Sequence, residues 1–144
     1  MNLVFEQNKF RQDIAKLELM MDELGIISTY GEAYRPPEQA WINALPPRSN
    51  LVATVNKEDI VVYHSTYPDK VGGRGIAHSI HEKRCAMDYN FFFLDYQPMN
   101  AKTPELIVLG QYWESLDAKN RWGGNFTPTK NRPLGDIYHF ERNV

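Results

Sequence analysis

The chain has 144 residues, 42% of them hydrophobic, and 16 basic against 18 acidic side chains give a formal charge of −2. That length suits one domain with an ordinary core, and that charge argues against nucleic acid or an anionic membrane as partner. A single cysteine, Cys85, excludes an internal disulfide and any multi-cysteine zinc site.

Residues 8–24 place Phe10, Ile14, Leu17, Met21 and Leu24 at alternating steps of four and three, with Gly25 following as a stop. This spacing predicts an amphipathic helix. "IISTYGEAYRP" reads as a short strand leading into a turn, and "PPEQAWINAL" as a second helix with proline in its first turn, which puts Arg35 at a strand-to-helix junction. From Pro46 to Ser79 the chain is rich in Pro, Gly, Ser and Asn, so a long surface excursion is expected, holding one strand in "DIVVYHS". "AMDYNFFFL" is apolar on both alternations after Asn90, which predicts a central strand covered on both faces with Asp88 at its mouth. Leu106, Leu109, Trp113 and Leu116 form one stripe over residues 104–119, predicting a third helix ended by Gly123-Gly124. "DIYHFE", Asp136 to Glu141, reads as a last strand. The whole is expected to be one α+β domain spanning residues 1–144. "MNLVFEQNKFRQ" lacks the pattern of a secretory signal and no apolar run reaches spanning length. Synthesis in a cytoplasm and no stable membrane association are therefore expected.

A lone histidine is ordinarily a hydrogen-bonded core or surface residue, and that reading is kept for His64. His81 and His139 differ, because each has acidic company at the edge of a predicted strand: Asp88 for the first, Asp136 and Glu141 for the second. A catalytic metal takes three nitrogen or oxygen ligands, an open position for water and a nearby carboxylate to accept the proton. His81, Asp88 and His139 can supply the ligands, and Asp136 the proton acceptor. An ionised Asp88 entering a buried strand needs compensation that a divalent cation provides; equally, Asp88 can cap a turn or pair with Lys83 or Arg84. Asp136 and His139 stand three apart, so a regular strand would aim them at opposite faces, and both serve one centre only if the chain bends there. Glu141 falls on the face of His139, where it orients a ligand or solvates an edge.

"SIHEKRCAMD" followed by "DIYHFE" resembles the zinc peptidases that include D-alanyl-D-alanine carboxypeptidases and dipeptidases, and the phage endolysins that cut the L-alanyl-D-glutamate bond of peptidoglycan. That family carries Ser-x-His, then Asp, and later an acid, two residues and His-Phe-Glu. "YRPPEQA" and "RWGGNF" are similar to its arginine-to-glutamine and Trp-Gly segments, so four matches in family order span Tyr34 to Glu141.

The resemblance implies one zinc ion held by His81, Asp88 and His139, Asp136 as general base and acid, and Arg35 near the substrate carbonyl or carboxylate. Ser79, Glu141, Trp122 and Gln39 are implied as substrate-binding or supporting residues. It also implies the fold shared by the DD-peptidases and hedgehog signalling domains, a small antiparallel sheet flanked by helices. One departure stands out: Arg84 occupies a position where the family has glycine. If that glycine takes a positive φ, arginine is strained there. Cys85 beside it reads as a small core residue.

The expected reaction is metal-assisted hydrolysis of a stem-peptide amide by a monomer without a separate wall-binding module. A chain of this kind lacking a signal fits an endolysin with L-alanyl-D-glutamate endopeptidase activity, acting on the wall after release. D-alanyl-D-alanine carboxypeptidase is the alternative, and a non-catalytic zinc module of the same fold a more distant one, against which Asp136 argues.

Overall fold

The computed structural model describes residues 2–35, 50–55, 58–63 and 79–144. Helix α1 runs Leu3–Glu23, and strand β1 follows at Ile27–Tyr30. β2 (Asn50–Val55) and β3 (Glu58–Tyr63) pair as an antiparallel ladder of their own. A 3-10 turn at Ile80–Lys83 leads into β4, Ala86–Phe92. Helix α2 spans Pro104–Leu116, β5 is Asn120–Trp122, and β6 is His139–Arg142. β1, β4, β6 and β5 lie in that order in one open antiparallel sheet, so the described chain is α+β with two helices and a small sheet. No described helix is long and apolar enough to cross a membrane.

Helix α1 starts five residues before the expected position because the Asn2 side chain accepts hydrogen bonds from the backbone N–H of Val4 and Phe5, at 3.1 and 3.3 Å. Such a cap satisfies donors the helix cannot pair itself. Its apolar stripe was masked at this end by the exposed Leu3, Val4 and Phe5. At the other end Gly25, with φ +67°, donates to the Asp22 carbonyl while Ile26 donates to that of Met21. This left-handed closure turns the chain into β1.

Phe10, Ile14, Leu17 and Met21 of α1 meet Leu106, Leu109 and Trp113 of α2 in one core. Tyr89, Phe91, Trp122 and Phe140 close it from the sheet. Phe140 stands edge-on to Trp113, Tyr89 and Phe91, the arrangement that ring quadrupoles favour. Two acids of α1, Glu6 and Asp13, are buried with it. Glu6 is paired to Arg142 at 2.6 Å and Lys119 at 2.5 Å, and Asp13 accepts from Asn120 at 3.1 Å, so neither carboxylate is left without a partner.

Four expectations need correction. The stretch expected to hold one strand carries two, because Asn50–Val55 pairs antiparallel with Glu58–Tyr63. Helix α2 stops at Leu116 rather than 119, because Asn120–Trp122 pairs with β6 and drives the Trp122 ring into the core. A Cβ on Gly110 would stand 2.1 Å from that ring, so the helix must offer glycine where the indole lies on it. β4 is central, but its two faces are unequally covered: Tyr89 and Phe91 are buried on one, while on the other Ala86 is buried, Asn90 is exposed and Asp88 is partly so. Finally, the last strand begins at His139, not Asp136, since residues 136–139 form a turn closed by a hydrogen bond from His139 N–H to the Asp136 carbonyl, 3.1 Å. The second helix expected over 36–45 lies outside the described residues.

Candidate metal centre

Strand alternation sorts β4 and β6 into two faces. Phe140 points into the core with Tyr89 and Phe91, so His139 and Glu141 project from the opposite face. The register sets Asp88 directly opposite His139 and Ala86 opposite Glu141. Asp88 and His139 are therefore cross-strand neighbours, the closest approach two sheet side chains can have. His81 reaches the same spot from the 3-10 turn that precedes β4.

That turn is held by reciprocal capping. The Ser79 hydroxyl accepts from His81 N–H at 3.3 Å, and the Glu82 carboxylate accepts from Ser79 N–H at 3.0 Å. It closes at Arg84 in the left-handed conformation, φ 56° and ψ 36°. An arginine in this region carries backbone strain, partly offset because the guanidinium lies 4.7 Å over the Tyr34 ring. Cys85 is fully buried, and burial pushes its thiol up, away from nucleophilic use.

His81, Asp88 and His139 form a cluster that can hold a metal ion. His81 Nε2 is 3.4 Å from Asp88 Oδ1, His139 Nδ1 is 2.8 Å from the same oxygen, and the two nitrogens are 3.3 Å apart. Bonds of about 2.0–2.1 Å at tetrahedral angles set donor atoms about 3.3 Å from one another, close to two of these separations, while the 2.8 Å between Asp88 and His139 is a hydrogen-bond distance.

The outward nitrogens fix which lone pairs point inward. His81 Nδ1 lies 3.3 Å from the Ala33 carbonyl, an acceptor only, so it carries the hydrogen and leaves the Nε2 lone pair facing Asp88. His139 Nε2 lies 2.8 Å from Glu141 Oε2, which makes it a donor as well. Two nitrogen lone pairs and a carboxylate oxygen then converge, and a cation at their centre satisfies all three. Holding each ligand imidazole through its other nitrogen is how proteins orient metal ligands.

Without an ion, one proton partly takes that role. Burial lowers the His139 pKa, but its hydrogen bonds to Asp88 and Glu141 prevail and raise it to about 9. Burial likewise pushes Asp88 up, and the two histidines outweigh it, holding the carboxyl well below the usual range. Glu141, buried and also paired to Arg121, is lowered for the same balance of causes.

No family model matches this chain, and no curated protein matches it. What the site can do is thus read from its own geometry.

Asp136 lies in the turn before β6. Its Cβ and that of His139 stand 3.0 and 2.9 Å from the position a Cβ on Gly123 would occupy, so both flank that glycine, while the Asp136 carboxylate is not part of the three-residue cluster. The Asp136 carboxylate accepts from Arg132 Nη1 at 2.6 Å. Arg35 makes no hydrogen bond or ion pair with the three candidate ligands; its guanidinium is clasped by Glu32, Nε to Oε1 at 3.0 Å. That hydrogen bond outweighs burial and raises the Arg35 pKa, with Asp88 and Glu82 adding to it. The loop carrying Arg35 is tied to the centre, since Gly31 N–H donates to the Asp88 carbonyl and Asp88 N–H to that of Glu32, both at 2.8 Å.

Two of the supporting residues play parts other than substrate contact. Ser79 caps the turn that carries His81. Trp122 is 2% exposed, beyond a substrate's reach, and its Nε1 donates to the Ile137 carbonyl at 3.0 Å, fixing the turn that delivers His139. Gln39, His64 and His78 lie outside the described residues.

Sequence reasoning missed Glu82, whose Ser-x-x-Glu spacing with Ser79 is a legible capping signal. It also missed Ala33, Glu32, Arg121 and Arg132. The first acts through its backbone and the others through non-local pairing or turn geometry, which spacing does not reveal.

Proposed function

We propose that this protein is a zinc-dependent peptidoglycan peptidase that hydrolyses an amide bond of the peptide stem, with the L-alanyl-D-glutamate bond as the leading target. The observation that carries the reading is the convergence of two imidazole nitrogens and one carboxylate oxygen within 3.4 Å of one another. Two nitrogens and one oxygen are a ligand set of catalytic zinc sites, which leave a position open; structural zinc sites close their four positions, usually with cysteine.

A bound zinc ion supplies Lewis acidity, polarising a carbonyl and making water nucleophilic at neutral pH. The remaining work falls to the chain's own groups. Glu141 and the Ala33 carbonyl keep the two imidazoles aimed at the centre. Asp136, whose side chain begins beside that of His139, takes a proton at its carboxylate from the attacking water and returns it to the departing amine. Arg35, held by Glu32 on the loop tied to Asp88, offers its positive charge to the carbonyl oxygen as negative charge develops.

Elemental analysis of protein purified without chelators, followed by mass analysis of a purified muropeptide digest, tests this. About one equivalent of zinc and fragments cut between L-alanine and D-glutamate are expected. Loss of terminal D-alanine alone assigns the carboxypeptidase reaction instead, and intact muropeptides with zinc-loaded protein reject hydrolysis.

A further inference from the structure

The turn region ending at Tyr138 borders a groove of about 440 Å³ whose walls include Asn100, Arg132, Asp136 and Tyr138. Arg132 is firmly placed there. Its backbone N–H and carbonyl both bond to Thr129, at 3.0 Å each, and its carbonyl also accepts from Gly135 N–H at 3.1 Å. Its side chain is half-exposed, and one guanidinium nitrogen donates to Asp136. Among the described residues its other N–H groups make no hydrogen bond, so a planar fork with donors to spare faces the groove.

The chemistry of this wall selects a ligand class. A guanidinium with unused donors takes a carboxylate well. The Asp136 carboxylate beside it disfavours a multiply charged anion such as phosphate. The Tyr138 hydroxyl spends its proton on the Met99 carbonyl at 3.1 Å and lies 3.4 Å from Asn100 Oδ1, so what these two neutral groups still offer a peptide is the hydroxyl's lone pairs and the Asn100 amide N–H.

We infer that Arg132 is a specificity-determining residue that receives the free α-carboxylate of the residue on the amine side of the cleaved bond. The inference rests on the proposed function, but it holds for either bond. D-Glutamate linked onward through its side chain and a terminal D-alanine both carry a free α-carboxylate next to the departing nitrogen. In an amino acid that nitrogen and a carboxylate oxygen are about 3 Å apart. Asp136, which protonates the nitrogen, and Arg132, which receives the carboxylate, are themselves 2.6 Å apart at their nearest atoms. One residue of substrate can therefore meet both side chains at once.

The test uses two matched stem peptides, with the α-carboxylate of that residue free or amidated. Wild-type protein is expected to show about a tenfold lower KM for the free acid, with kcat within about twofold. Arg132→Gln removes the preference by raising KM for the acid, and Arg132→Lys restores part of it. Equal KM values in the wild type, or a preference that survives Arg132→Gln, overturn the inference. A second measurement is independent of catalysis: in metal-stripped protein, the free-acid peptide shifts amide resonances of residues 131–138, the amidated one does not, and Arg132→Gln abolishes the response. Cleavage of neither peptide by zinc-loaded protein defeats the proposed function. In that event the resonance shifts decide Arg132 alone, and no acid-selective binding rejects it.

Discussion

Asp88 and His139 stand directly opposite one another across antiparallel strands β4 and β6, with Oδ1 and Nδ1 2.8 Å apart. One backbone register thus sets two of the three candidate ligands, and the third, His81, is delivered by a capped turn just before the same strand.

The proton that stands in for the ion gives a pH dependence. His139 is raised from 6.5 to about 9, so its protonated form stabilises the metal-free fold fully below about pH 6.5. That stabilisation, on the order of 3 kcal/mol, is lost as pH rises through 9. Urea unfolding of metal-stripped protein is expected to weaken over this window. Zinc affinity, which requires that proton to leave, should rise about tenfold per unit toward pH 9. Affinity that stays flat with pH contradicts the protonated His139.

Glu141 touches no metal position but fixes His139 through Nε2. Glu141→Gln keeps the side chain's shape and removes its charge, also releasing Arg121. Loss of a partner of this kind typically costs ~10–100-fold in metal affinity. Competition with a chromogenic chelator measures it, and an unchanged affinity would show that Glu141 does not hold the ligand.

Asp136→Ala separates chemistry from metal binding. Zinc content is expected to match the wild type, and hydrolysis to fall by ~10²–10⁴-fold, the usual worth of a positioned general base. Full activity in the variant would falsify its role in proton transfer.

Arg84 in the left-handed region invites a paired comparison. Arg84→Ala loses the contact with Tyr34 and keeps the backbone strain, whereas Arg84→Gly loses the contact and relieves the strain. The glycine variant is expected to be more stable than the alanine variant by ~1 kcal/mol. Thermal unfolding of the two reads this directly, and an alanine variant of equal or greater stability rules out strain at this position.

Gly123→Ala probes the seam between Trp122 and the last turn. A Cβ there would lie 2.3 Å from the Asp136 carbonyl oxygen and 2.9 Å from His139 Cβ, so backbone must move. Destabilisation of ~1–3 kcal/mol is expected, along with weaker zinc binding, because the displaced group is a candidate ligand. Calorimetric unfolding with and without zinc would expose a variant that is unaffected.

Much of this architecture follows from local sequence. The four-and-three spacing from Phe10 to Met21 specifies α1, the stripe of Leu106, Leu109, Trp113 and Leu116 specifies α2, and the β-prone run after Cys85 specifies β4, because each pattern belongs to one period of backbone geometry. The types and order of His81, Asp88, Asp136 and His139 were likewise legible as a candidate ligand set with a proton acceptor. What tertiary structure alone decided is which atoms meet. The pairing of β4 with β6 put Asp88 opposite His139, Gly31 and Ala33 brought the β1 loop against Asp88 and His81, and the turn at 136–139 placed Asp136 off the strand. Those contacts depend on strand register and on backbone carbonyls distant in sequence, and neither leaves a mark in residue spacing.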